Sequence, residues 1–325
     1  MKTFTYQMKS GIARTREFER KHLAMYGANV GIKCGHGCTY CSTPSMVRMH
    51  VGFKSLGLSA FDNDYAIVDP TTPQRVVRDA EKIKNRGLVQ LCTIVDAWSP
   101  EAQQYQLGRR CLEAILLQPG WTIRILTKNA AVRKDFDVIE RYKDRVLVGL
   151  SITAPPDKSD IISVIEPNAS SIKERIEVMM EAAHRGFRTY AMFCPVLPGI
   201  ADSPEQIENL VELACQFKAE EIFAEAVNPR GRGLKLTQRA LETAGYSNEA
   251  SAVENIRNRN NWSGYVVRLV RNFQKNVRQL YDINKLRFLL YPSRLVGRDL
   301  TQIKQDDGGV TWLGRDEKCQ DNERW

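Results

Sequence analysis

The chain has no second Cys-x-x-Cys pair, and no Gly-x-Gly-x-x-Gly follows its first apolar segment. The first absence argues against a zinc domain built from two knuckles, the second against a dinucleotide-binding open sheet. No apolar run approaches the length that crosses a bilayer, and Met1-Lys-Thr-Phe-Thr-Tyr-Gln lacks the apolar core of a secretory signal. The expected location is the cytoplasm, with no membrane partner, where thiols stay reduced. The eight cysteines are then ligands, core residues or reactive thiols rather than staples. There is no internal repeat and no low-complexity tract.

What is present is concentrated in Cys34-Gly-His-Gly-Cys38-Thr-Tyr-Cys41. Three thiols this close let one short loop aim its sulfurs at a common point, with Gly35 and Gly37 relaxing the backbone. Soft thiolates suit an iron–sulfur cluster or zinc. Four irons on three cysteines would leave one iron open to an exchangeable ligand. The alternative is a structural zinc with His36 or His50 as fourth ligand, in a non-catalytic nucleic-acid-binding protein.

Along the 325 residues, strand-like and helix-like segments alternate. Strands are expected at 28–33, 88–95, 121–127, 145–152, 187–196 and 220–227. Helices are expected at 73–85, 101–117, 132–142, 170–184 and 204–217. Repeated strand–helix units imply a parallel sheet with right-handed crossovers, and six of them make a partial (β/α)6 TIM-like barrel. Such barrels carry their chemistry at the C-terminal ends of the strands, where the cysteine loop falls. The expected organisation is a core over residues 1–230 and a mainly helical extension over 231–325, ending in a polar, loosely ordered tail from Ile303. The stretch from Thr243 to Gly264 reads as a mobile loop.

The cysteine spacing resembles the signature of radical S-adenosylmethionine (SAM) enzymes, and Tyr40 fits that superfamily's habit of placing a ring beside the SAM adenine. Five strand-end motifs are similar to the branch of spore photoproduct lyase. They are Leu91-Cys-Thr-Ile-Val-Asp96-Ala-Trp-Ser-Pro100-Glu101, Ile125-Leu-Thr-Lys128, Gly149-Leu-Ser151, Ile165-Glu166-Pro167 with Arg175, and Pro195-Val-Leu-Pro198-Gly-Ile-Ala-Asp202. The resemblance implies a [4Fe–4S] cluster on Cys34, Cys38 and Cys41, and SAM held by Tyr40, Lys128 and Ser151. An external electron donor would reduce the cluster, and the resulting 5′-deoxyadenosyl radical would abstract a hydrogen atom from a substrate, with a nucleic acid or a partner protein as the candidates. Asp96 and Glu166 are acids at the barrel mouth, open to a substrate, a ribose or Arg175; a structural Glu166–Arg175 pair is equally compatible. Cys92 falls near the thiol that returns hydrogen to the product radical in the lyase, although a free cysteine in a strand is more often inert core. Cys194 is a weaker candidate, and Cys111, Cys215 and Cys319 read as packing or surface thiols. The C-terminal third matches no motif of that branch.

That third is strongly basic. From Arg257 to Arg298 there are ten Lys or Arg and a single acid, Asp282, so the segment's surplus equals the +9 of the whole chain. A helix capped by Ser263 and running to Asp282 would bury Val266, Val270, Phe273, Val277 and Leu280 and turn Arg268, Arg271, Lys275 and Arg278 outward. That stripe could track phosphates, with Trp262 and Tyr265 stacking on bases, or face a partner protein or solvent.

Overall fold

The computed structural model describes residues 1–314; Cys319 lies outside them. Its main feature is a run of eight parallel strands with helices between them. They are β1 (Tyr26–Ala28), β2 (Leu88–Leu91), β3 (Thr122–Thr127), β4 (Val146–Leu150), β5 (Arg188–Thr189 and Ala191–Val196), β6 (Ile222–Ala226), β7 (Leu286–Leu290) and β8 (Val310–Trp312). Pairing follows chain order throughout, and a bridge from Ser151 to Met192 carries the sheet across the break inside β5. Among the described residues nothing pairs β8 with β1, so the barrel is open.

The strands read as continuous apolar runs because both faces are covered, as in Val-Leu-Val-Gly-Leu of β4, where all five residues are buried. The helices between them start where the sequence supplies caps. Ser171 and Glu174 form a reciprocal capping box at Ile172–His184, and the Ser203 hydroxyl accepts from Gln206 N ahead of Pro204–Gln216. All six expected core strands and the intervening helices are present, but β2 ends at Leu91 rather than Val95, and the helix expected at 101–117 breaks into Pro100–Gln103 and Leu107–Leu116. The segment expected as the first strand divides: Tyr26–Ala28 joins the barrel, whereas Gly31–Lys33 turns away to pair antiparallel with Tyr65–Val68 in a separate three-stranded sheet. A side chain at Gly31 would lie 2.2 Å from the Ile67 carbonyl, so only glycine permits that crossing.

The C-terminal region departs further from expectation. The stretch read as a mobile loop holds the helix Ser247–Asn255 and the start of the helix Arg259–Leu280. Asn258 caps the latter, accepting from Asn260 N at 2.8 Å, while the Ser263 hydroxyl is buried and accepts from Val296 N at 3.0 Å. Trp262 and Tyr265 are 4% and 1% exposed, which removes them as base-stacking platforms. Their polar atoms donate instead to barrel carbonyls, Trp262 Nε1 to Val227 O at 3.1 Å and Tyr265 Oη to Val196 O at 2.8 Å. Leu280, expected in the apolar stripe, is exposed. Two of the outward cations are engaged locally: Arg278 grips both Asp306 carboxylate oxygens and Arg271 reaches the same side chain. That contact seats the connection leading to β8, so residues 305–312 of the expected loose tail are ordered.

Trp262→Ala should therefore lower unfolding stability by about 3–5 kcal/mol, the usual cost of emptying a large buried aromatic site. Urea denaturation measures it; unchanged stability would mean that the ring does not carry the packing of this helix on the barrel.

Candidate active site

The C-terminal strand ends surround a cavity of about 300 Å³, lined in part by Cys34, Cys38, Cys41, Tyr40, Cys92, Lys128 and Ser151. Every residue singled out above as a cluster, SAM or hydrogen-donor candidate thus reaches one space. The cysteine loop leaves Lys33 and is followed by the short helix Thr43–Val47. Gly37 adopts a φ of 67°, the left-handed conformation that glycine tolerates. Gly35 serves differently: it is flush against a carboxylate, and a Cβ there would meet Glu101 Oε2 at 2.8 Å.

Two buried acids hold this loop from below. Glu101 accepts from Gly35 N at 2.8 Å and from the Ser99 hydroxyl at 2.6 Å. Asp96 accepts from Trp98 N, the Thr127 hydroxyl and Lys128 N at 2.8 Å, and pairs with His36 Nε2 at 2.9 Å. The other His36 ring nitrogen lies 3.0 Å from Asn168 O. Asp96 is therefore filled by internal partners, neither free for a ribose nor bound to Arg175. Burial disfavours charge on His36, but Asp96 outweighs it and raises the imidazole pKa. With both ring nitrogens engaged, His36 is no zinc ligand. His50 caps the helix Val51–Leu56 through Nδ1 and is not among the residues lining the cavity, so neither candidate completes a zinc tetrahedron.

A third acid, Glu166, holds two of the lining residues, Tyr40 and Lys128. Its side chain is wholly buried. One oxygen, Oε1, takes Lys128 Nζ at 2.9 Å, the Thr153 hydroxyl at 3.0 Å and the Tyr40 hydroxyl. The other, Oε2, pairs with Arg175. Burial opposes ionisation of Glu166, yet Lys128 and Arg175 together bring its pKa down to about 2. The structural pair with Arg175 is thus the one observed. Lys128 also donates to Ser151 Oγ at 3.0 Å and lies 5.5 Å from the centre of the Tyr40 ring. The Ser151 hydroxyl in turn donates a hydrogen bond to Cys194 O at 2.8 Å.

Desolvation holds Cys34, Cys38 and Cys92 in their neutral form. Burial pushes Cys34 well above the ordinary range, helped by Cys41 and Cys38, and pushes Cys38 up to about 12. Cys92 is raised well above its usual value by burial as well. Cys111 is buried in the helix Leu107–Leu116 and absent from the cavity, and Cys215 contacts Leu280 O at 3.3 Å; both are packing thiols.

Residues 28–214 match the family model of the radical SAM superfamily. The chain belongs to that superfamily. Similar proteins include an uncharacterized protein of Acidianus two-tailed virus, 25% identical over 222 residues, covering 66% of this chain and 71% of that one. An uncharacterized protein of Methanocaldococcus jannaschii is 25% identical over 182 residues, 55% of this chain and 63% of its own length. Among solved structures, a spore photoproduct lyase mutant with bound AdoMet and dinucleoside spore photoproduct aligns with TM-score 0.51 at 15% identity. The alignment covers 74% of this chain and 66% of the lyase chain. A second lyase mutant gives TM-score 0.50 at 14% identity over the same shares. These likenesses establish the fold. Radical SAM membership implies a [4Fe–4S] cluster and SAM, and the donor types here suit them: three soft thiols, an ammonium and a hydroxyl line one cavity. Iron coordination would strip the protons that burial now retains on Cys34 and Cys38.

Sequence reasoning placed Glu101 in a strand-end motif but gave it no role, and it missed Asn168 and Thr153 as supports of the loop and of Glu166, because these contacts show only with the spatial partner in place. Glu166→Gln should destabilise the protein by about 3–5 kcal/mol, since it leaves Arg175 buried beside a neutral group. The pKa of Glu166 is lower folded than unfolded, so its contribution is complete above about pH 4.3 and fades as pH falls toward 2. Urea midpoints measured from pH 5 to pH 2 should fall less in the variant than in the parent.

Proposed function

We propose that this radical SAM enzyme binds a [4Fe–4S] cluster through Cys34, Cys38 and Cys41, and SAM through Tyr40, Lys128 and Ser151. When bound, that pair supplies a 5′-deoxyadenosyl radical once an external donor delivers one electron. The tasks of the chain's own residues follow from their placement. Lys128 uses part of its ammonium on Glu166 and Ser151 and keeps donor capacity for a carboxylate. Glu166, fixed by four partners, holds Lys128 and the Tyr40 hydroxyl in one orientation. The surrounding wall is mostly apolar and excludes water from a reactive centre.

The observation that carries this reading is the convergence of all three loop cysteines, Lys128 and Ser151 on one cavity. Cys92 opens on the same cavity with its proton retained by burial, as a thiol that returns a hydrogen atom to a product radical must be. The substrate is a molecule that enters this cavity and gives up a hydrogen atom.

Anaerobically purified protein should be brown, with about four irons per chain and little zinc. With reductant and SAM it should form 5′-deoxyadenosine, and Cys34→Ala, Cys38→Ala or Cys41→Ala should each abolish that product. Colourless protein carrying stoichiometric zinc would overturn the reading. Lys128→Met should raise the KM for SAM by roughly tenfold or more, the cost of losing one charge-assisted contact. Cys92→Ala should still release 5′-deoxyadenosine while product formation on the true substrate fails; normal turnover would exclude Cys92 as the donor.

A further inference from the structure

The cavity has a second polar pole to which the cluster and SAM assign no task. Away from the cysteine loop its wall includes Phe18, Lys21, Leu23, Met192, Glu225 and Leu289, of which only Lys21 and Glu225 are polar. Lys21 ends the short helix Arg16–Arg20, and Glu225 is the penultimate residue of β6. Their charges meet loosely, with Lys21 Nζ 3.7 Å from Glu225 Oε2. Cys194 Sγ donates to the same oxygen at 3.4 Å, which steadies the carboxylate from the β5 side.

Most of each side chain is covered, yet 15% of Lys21 and 18% of Glu225 stay accessible. Beyond Glu225, the Lys21 ammonium lies 5.9 and 6.0 Å from the centres of the Phe18 and Tyr291 rings, with Cys194 and the Glu17 carboxylate also within electrostatic reach. Burial disfavours its charge, but Glu225, with smaller contributions from Tyr291, Cys194 and Glu17, raises the pKa overall, so the amine stays protonated. Ammonium protons and a carboxylate oxygen are therefore left without hydrogen bonds among the described residues, on a wall that is otherwise apolar.

The pair is neutral as a whole, and this selects the ligand. A carboxylate or phosphate docked on Lys21 would lie against the like charge of Glu225, and an amine docked on Glu225 would lie against Lys21. Either would cost desolvation without a net gain in pairing. A neutral group with N–H beside C=O meets both demands: its carbonyl accepts from the ammonium and its N–H donates to the carboxylate. We infer that Lys21 and Glu225 form a substrate clamp for a neutral amide- or lactam-type N–H/C=O edge carried on an apolar body. This rests on the reading that the substrate occupies the same cavity. A nucleobase and a peptide amide share that edge.

The test is binding to the full chain by ligand-observed NMR, without reductant. Uridine represents the nucleobase source and N-acetylleucinamide the peptide source, with hexanoate and hexylamine as charged controls. One neutral probe should bind, identifying the source, and each control should bind at least tenfold more weakly. Lys21→Met and Glu225→Gln should each weaken the bound probe tenfold or more, with melting curves confirming that they fold. If either single variant unfolds, the charge-neutral double variant Lys21→Met/Glu225→Leu provides the same comparison. Failure of both neutral probes to bind, hexanoate or hexylamine binding equally well, or unchanged affinity in the variants would overturn the clamp. Protein that binds the probe but never cleaves SAM would sink the radical SAM assignment of the site and leave the clamp standing.

Discussion

Glu166 carries a full charge where water does not reach it, and four parts of the molecule depend on how that charge is held. Its partners come from the cysteine loop (Tyr40), the end of β3 (Lys128), the segment after β4 (Thr153) and the helix Ile172–His184 (Arg175). A buried carboxylate is stable only if the groups around it replace its hydration almost completely. Here two cations and two hydroxyls do so, and in doing so they tie the paired ends of β3 and β4 to the cysteine loop and to the helix Ile172–His184. The same requirement fixes Lys128 and Tyr40 in position before any ligand arrives, so little side-chain entropy is left to lose on binding.

Asp96 and Glu101 repeat the device on the cysteine loop itself. A loop meant to present three thiols cannot rely on the metal to fold it if the apo protein is to remain receptive. In this chain backbone contacts from Gly35 and the His36 side chain end on carboxylates supplied by the segment after β2. Asn168 closes the arrangement, donating to Gly35 O at 2.9 Å. The C-terminal region adds a last brace, with Thr39 and Thr237 hydroxyls 2.8 Å apart. The extension thus supports the site although none of its residues appears in a recognisable motif.

The alternation of apolar strands and amphipathic helices was legible in the sequence because burial on both sheet faces writes itself as uninterrupted runs such as Val146–Leu150. The three cysteines, Lys128 and Ser151 were legible for a different reason: each sits in a short motif whose spacing is fixed by one strand end. What stayed hidden depends on contacts between distant segments. The split of the first strand at Gly31 follows from a neighbour 36 residues later, Ile67, and β8 is a three-residue strand that only the pairing with β7 defines. Trp262 and Tyr265 looked like stacking platforms because an amphipathic pattern does not say which carbonyls lie beneath the helix. Lys21 and Glu225 lie some two hundred residues apart, and neither is unusual until they face each other.

Both poles of the cavity use a lysine and a glutamate, yet their surroundings make them chemically different. At the Lys128–Glu166 end, Arg175 adds a second cation, so the cluster as a whole carries excess positive charge and favours an anionic ligand group such as a carboxylate. At the Lys21–Glu225 end the two charges of the pair cancel each other. An apolar cavity amplifies that difference, because effective dielectric falls as water is excluded. A charged ligand group is thereby steered to one end and a neutral polar one to the other. Ser151 spans the two poles, touching Lys128 Nζ with its oxygen while donating to Cys194 O. Any shift of β5 that disturbs Cys194 would therefore be felt at both ends of the cavity. This coupling requires no moving part, only a shared hydroxyl between two fixed walls.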